Sequence, residues 1–105
     1  MDLRVYQTEA GDQPFWKWPD SLRDRQARAR IQTRMDRMMT GNFGDAKPVG
    51  GGVMEVRVDW GPGCRVYFAP IGQVVVLLLC AGDKKTQQKD IEHAKAYLED
   101  YKARG

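Results

Sequence analysis

The sequence predicts an α+β fold: an antiparallel sheet of about four strands, two N-terminal helices packed on one side of it, and a C-terminal helix. Three observations lead there. Residues 53–80 hold two runs of strict apolar–polar alternation and one wholly apolar run, separated by turn residues. Residues 14–39 carry apolar side chains at helical spacing. So do residues 86–102, beyond a Gly-Asp break.

Taken in order, Asp2–Thr8 alternates, with Leu3 and Val5 on one side, and reads as an edge strand. Pro14 suits a first helical position, and Phe15, Trp18 and Leu22 form one face of a short helix that Pro19 limits. Asp24 can cap a second helix from Arg25 to Met39, whose apolar stripe is Ala27, Ile31, Met35 and Met38. Gly41-Asn42 closes it. Gly44–Pro48 reads as a connector holding Lys47, and Gly50-Gly51-Gly52 as a bulge or hinge leading into a strand. No helix follows those glycines and no Lys-Ser/Thr pair accompanies them, so they are not a phosphate loop.

The first central strand is Val53–Asp59, with Met54, Val56 and Val58 facing one way and Glu55 and Arg57 the other. Trp60-Gly61-Pro62-Gly63 is a turn. Arg65–Ala69 alternates again, with Val66 and Phe68 opposite Arg65 and Tyr67. After Pro70-Ile71-Gly72, the run Val74–Cys80 is apolar throughout, as in a strand covered on both faces. Stacking the strands gathers Glu55, Arg57, Arg65 and Tyr67 on one polar face, expected to be open to solvent or to a ligand. On that reading Arg65 points away from the core, and its loss costs only about 0.5 kcal/mol of stability. The last helix begins near Thr86 and runs to about Lys102, with Ile91, Ala94, Leu98 and Tyr101 as its core face.

Composition narrows the function. At 105 residues the chain is long enough for one domain and one core. The formal charge of +3 favours polyanionic partners. Six arginines, Arg23, Arg25, Arg28, Arg30, Arg34 and Arg37, stand against Asp24 and Asp36 in and just before the second helix. They form a solvated face, a nucleic-acid track or a dock for an acidic partner. Cys64 and Cys80 make no metal pattern and read as free thiols in a reducing compartment. The N-terminus lacks a signal-peptide core, and the longest apolar run is far shorter than the ~20 residues a membrane span needs. His93 is the single histidine and reads as a structural residue of the last helix, off its apolar stripe, so the sequence offers no convincing Ser-His-Asp or Cys-His arrangement.

The segments Gly41-Asn42, Gly44-Asp45, Lys47, Val49–Val53, Glu55 and Arg57, then Gly61–Gly63 and Arg65–Phe68, then Gly82–Lys84, Thr86-Gln87, Asp90-Ile91 and Ala94-Lys95 resemble, in order and spacing, the HigB-like killer proteins. These are addiction-module toxins of the RelE/ParE superfamily. The resemblance spans Phe15 to Tyr101, with Cys64 where the family usually has an aromatic residue. It implies a RelE-like fold and a cytoplasmic toxin of a type II toxin–antitoxin module. That toxin is a ribosome-dependent mRNA endoribonuclease needing neither metal nor cofactor. It is silenced by a cognate antitoxin, a helix-turn-helix protein through which alone the module would meet DNA. A ParE-type gyrase inhibitor and a non-catalytic phage-derived binding module are the competing readings.

Metal-free RNA cleavage uses the ribose 2′-hydroxyl as nucleophile and needs cationic groups on the phosphate. Arg57 and Arg65 suit that work, because the guanidinium fork matches two phosphate oxygens. The resemblance places Arg65 at the scissile phosphate and Lys84 at the basic position ending the last strand. Glu55 is either the general base or an ion-pair partner of the arginines. Lys47, Tyr67, Lys85, Arg28 and Arg30 are the further candidates for RNA contact. RelE has a tyrosine where this chain has Asp90, so RelE's acid–base assignment does not carry over.

Overall fold

The structure, a computed structural model, describes residues 2–17, 25–41, 43–58, 63–73 and 75–104, with Ala27 described by its backbone only. The elements are β1 (Asp2–Val5), a single 3-10 turn (Pro14–Lys17), α1 (Arg25–Met39), β2 (Lys47–Gly50), β3 (Val53–Val58), β4 (Cys64–Ile71), β5 (Val75–Gly82) and α2 (Gln87–Ala103). The five strands form one sheet in the order β1-β5-β4-β3-β2.

This corrects the expected four-stranded antiparallel sheet with three helices in two respects. First, the sheet is mixed and has five strands. β2 through β5 form an antiparallel meander, but β1 lies parallel to β5, Leu3 opposite Val76 and Val5 opposite Leu78. Parallel neighbours need a crossover, and here the crossover is α1 together with the rest of the meander. The extra strand, β2, lies in the supposed connector. Its Pro48 and Gly50 hide a strand signal, yet both are acceptable at a sheet edge. Second, among the described residues there are two α-helices. Pro14–Lys17 makes only one 3-10 turn, and the remainder of the expected first helix, with Trp18, Pro19 and Leu22, lies outside the described residues. The Trp60-Gly61-Pro62 turn lies outside them as well.

The three successive glycines have positive φ, 99°, 63° and 86°. A β-branched or bulky residue would be strained in each. They reverse the chain between β2 and β3, with a register shift between Pro48 and Gly50.

Alternation then sorts the side chains between two cores. Val56, Val58, Cys64, Val66, Phe68, Val76 and Leu78 face α1, where Ile31, Met35, Met38 and Phe15 cover them. Val53, Tyr67, Ala69, Leu77 and Leu79 face α2, beneath Ala94 and Leu98. A register shift beside Tyr67 leaves Leu79 unpaired in β5. Leu79 and Cys80 therefore both lie on the α2 side, and Ala81 returns to the α1 side.

α2 is clamped to the sheet at both ends. At its start, Asp83 Oδ1 accepts the backbone N–H groups of Lys85 and Thr86 at 2.9 and 3.1 Å, and Thr86 Oγ1 donates to Asp90 Oδ2 at 2.6 Å. At its end, the Tyr6 hydroxyl donates to Asp100 Oδ2 at 2.5 Å and Arg104 bonds Asp100 at 2.8 Å. Gly82 allows the close approach at the first clamp: a Cβ there would stand 1.8 Å from Asp90 Oδ2 and 2.9 Å from Thr86 Oγ1. Among the described residues no helix is long and apolar enough to cross a membrane.

Two outcomes are expected. Gly82→Ala should cost about 1–3 kcal/mol in urea unfolding, as overpacked sites do, and Asp90→Ala in the same chain should return part of it. A Gly82→Ala chain as stable as the wild type would show that α2 docks without this contact. Burial raises the Asp90 pKa, against the opposing Thr86 hydroxyl and His93. Its ionisation therefore subtracts stability, a penalty absent below the ordinary carboxylate pKa and complete above the raised one. Melting curves of Asp90→Asn should gain on wild type as pH climbs through that window.

Candidate functional site

Pairing of β3 with β4 sets Arg57 directly opposite Arg65 and Glu55 directly opposite Tyr67. The four side chains share a face, as their alternation predicts, but that face is not open. The first turn of α2 lies over it, leaving Glu55 at 2%, Arg65 at 7% and Tyr67 at 0% exposure. Arg57 alone of the four is exposed. The expectation that Arg65 points away from the core is therefore corrected: it is a buried arginine with a buried partner.

A polar sheet face can be covered only if the cover satisfies it. Gln87, the first residue of α2, does so by donating from Nε2 to Glu55 Oε2 at 2.8 Å. Glu55 Oε1 lies 3.8 Å from Arg65 Nε and 3.7 Å from Lys47 Nζ, the residue across from it on β2. One carboxylate thus ties together β2, β3, β4 and α2. Its oxygens are engaged by three donors' side chains, the geometry of a counter-ion. Tyr67 stacks into the α2 core, and its hydroxyl is buried without a hydrogen-bond partner. Burial first, and then the Glu55 charge, raise its phenol pKa far above the ordinary tyrosine value. Tyr67 therefore stays protonated at neutral pH and is placed away from solvent.

Arg57 and Arg65 meet different neighbours at the other end of their strands. Both line a cavity of about 700 Å³ between the sheet end and α1, together with Arg30, Thr33, Arg34, Arg37 and Asp45. Among the described residues five arginines face one carboxylate there. Directly opposed like charges on adjacent strands are unfavourable without an anion between or beside them. Glu55 meets Arg65 from behind, on its Nε side, and that Nε makes no hydrogen bond. Cys64 also reaches the cavity wall, but its thiol is free, 2% exposed and pushed up to about 12 by burial, so it is not a nucleophile at neutral pH.

Of the remaining candidates only Arg30 lines the cavity among the described residues. Lys84 and Lys85 are exposed in the loop just after Gly82, which pairs with Arg65, so they flank the same end of the sheet. Lys47 is exposed on β2 behind Glu55. Arg28 lies 5.7 Å over the Trp16 ring, whereas Arg30 enters the cavity. Arg34 and Arg37 belong to the basic helix offered as a nucleic-acid track, but neither they nor Asp45 are singled out for RNA contact by the sequence. Their signal is in the spacing: Arg30, Arg34 and Arg37 each stand one residue before Ile31, Met35 and Met38 or within a turn of them, beside the buried stripe. Among the described residues no three His, Cys, Asp or Glu side chains are grouped to hold a metal.

No protein-family model matches the chain. A Haemophilus influenzae protein, described as uncharacterized, is 48% identical over 81 residues, covering 77% of this chain and 82% of that protein.

The counter-ion geometry of Glu55 has a measurable consequence. Glu55→Ala leaves Arg65 buried without its partner and should cost about 3–5 kcal/mol in denaturant unfolding. Glu55→Gln, which keeps the shape and a bond to Gln87, should cost less. Equal stability of Glu55→Ala and wild type would remove the buried pair as a structural element.

Proposed function

We propose that this chain, which belongs to the same family as the Haemophilus influenzae protein, is the toxin of a type II toxin–antitoxin module. On this reading it acts in the cytoplasm as an endoribonuclease on ribosome-bound mRNA. The observation that carries the proposal is the Arg57–Arg65 pair, directly opposed on β3 and β4 and both lining a cavity in which, among the described residues, five arginines stand against one carboxylate. Such a site favours a phosphodiester over any neutral or cationic ligand. The chain's likeness to HigB-like killer proteins supplies the rest of the reading.

The reaction asks little covalent chemistry of the protein. The ribose 2′-oxygen loses its proton and attacks the adjacent phosphorus, the bond to the 5′-oxygen breaks, and that oxygen takes up a proton. Charge grows on the phosphorane oxygens between these events. Arg65, fixed by burial and by Glu55, holds one side of the phosphate without reorganising, and exposed Arg57 closes on the other. Lys84 and Lys85 extend the positive rim where the leaving strand departs. Glu55 is assigned to holding Arg65 in place, and Lys47 to neutralising Glu55. The partner on this reading is an antitoxin that covers the basic surface.

Arg57 provides the cleanest test, since it is exposed and its loss should change stability by no more than about 0.5 kcal/mol. Arg57→Ala should nevertheless lower cleavage of ribosome-bound mRNA about 100- to 1000-fold. Arg65→Lys should keep the charge, lose the fork and recover only part of the activity. Induction of the wild type alone should halt translation with fragmented mRNA. Loss of DNA supercoiling while mRNA stays whole would replace this reading with gyrase inhibition.

A further inference from the structure

One face of α1 is used by neither the core nor the arginine pair. Arg30, Thr33, Arg34 and Arg37, at i, i+3, i+4 and i+7, all line the cavity that contains Arg57 and Arg65. At 1.5 Å per residue the three arginines span about 10 Å, two turns of helix. They form a straight row of cations leading along α1 to the end of β3 and β4. The row runs beside the Ile31–Met35–Met38 seam, so the helix backbone is held rigidly beneath it.

The middle rung already carries an oxyanion. Asp45 Oδ1 accepts from Arg34 Nη2, and the two also form an ion pair. Gly44 makes this possible: its φ is +60°, and a Cβ there would lie 2.5 Å from Arg34 Nη2. The loop therefore presses against the guanidinium. The two partners differ in burial, with the Arg34 side chain 17% exposed and that of Asp45 63% exposed. Arg34 is anchored, and its Nε is buried with no hydrogen bond. Asp45 can leave for solvent with little desolvation to reverse, since an exposed ion pair is weak.

We propose that Arg30, Arg34 and Arg37 are a ladder for successive phosphates of a single-stranded RNA approaching Arg57 and Arg65, and that Asp45 holds the middle rung until a phosphate displaces it. The proposal rests on the cavity being the RNA site, but not on cleavage. The ladder fixes the path of the strand along α1. Asp45 sets a threshold: isolated small anions gain little by displacing it, whereas a strand held at the neighbouring rungs displaces it at high effective concentration.

The test uses the full chain and a short single-stranded oligonucleotide with 2′-deoxyribose throughout, which the 2′-hydroxyl reaction cannot cleave. Its dissociation constant is measured by fluorescence anisotropy across a salt series. Arg30→Gln and Arg37→Gln should each flatten the slope of log affinity against log salt by about 0.7, one phosphate contact on a single strand. Asp45→Asn should tighten binding about two- to fivefold, the worth of an exposed pair, and Arg34→Gln in that background should abolish the gain. Circular dichroism melts accompany each variant. Asp45→Asn that binds no tighter while remaining folded overturns the place-holder. Unchanged salt slopes in Arg30→Gln and Arg37→Gln overturn the ladder. So does a preference of the ladder arginines for polyglutamate over the oligonucleotide, which would make α1 a dock for an acidic protein. Ribosome-bound mRNA left intact by the same wild-type preparation, with the predicted slopes on the deoxyoligonucleotide, would retire the nuclease reading and leave the ladder standing. Cleaved RNA with unchanged slopes would do the reverse.

Discussion

Arg65 is a charge that the fold buries, and much of the surrounding architecture accommodates it. A guanidinium taken out of water needs a counter-charge and filled hydrogen-bonding positions nearby. Glu55 supplies the charge from the neighbouring strand, Gln87 holds Glu55 from the first turn of α2, and Lys47 approaches from the edge strand. Three strands and a helix are joined through one carboxylate. The Gly82–Asp90–Thr86 contact then brings the first turn of α2 close enough for Gln87 to reach. A shift in that turn would therefore reach Arg65 through Gln87 and Glu55.

This buried web has a second effect on the side facing α1. Arg65 is held by Glu55, and it lines the cavity together with the exposed Arg57 opposite it. Binding energy is then not spent on ordering both arginines. α1 contributes three more arginines to the cavity wall while burying Ile31, Met35 and Met38 against the sheet. Adjacent stripes of one helix thus perform two jobs, packing on one and charge on the other. The rigidity of the first serves the positioning of the second.

The polar face of β3 and β4 shows where a sequence pattern stops being informative. Alternation establishes which residues share a face, and Glu55, Arg57, Arg65 and Tyr67 do. It says nothing of what lies above that face. A polar stripe open to water and a polar stripe capped by a complementary side chain give the same alternation. Gln87, the capping residue, lies 32 positions from Glu55 and belongs to no local motif. The same limit applies to β2, where the edge position decided that Lys47-Pro48-Val49-Gly50 is a strand against its own weak propensity.

The sequence by itself determined the elements whose signal is local. The span of α1 and its buried stripe follow from the 3.6 period, the β3–β4 alternation from the period of two, and the double coverage of β5 from its unbroken apolar run. It also placed Arg57 and Arg65 side by side on adjacent strands. Only the tertiary structure decided the rest: the parallel docking of β1 on β5, the burial of Arg65, and the meeting of Arg57 and Arg65 with Arg30, Arg34, Arg37 and Asp45 in one cavity. Each of these depends on contacts between residues far apart in the chain. Their free energy comes from excluding water and pairing charges across elements, and no window of neighbouring residues contains both partners.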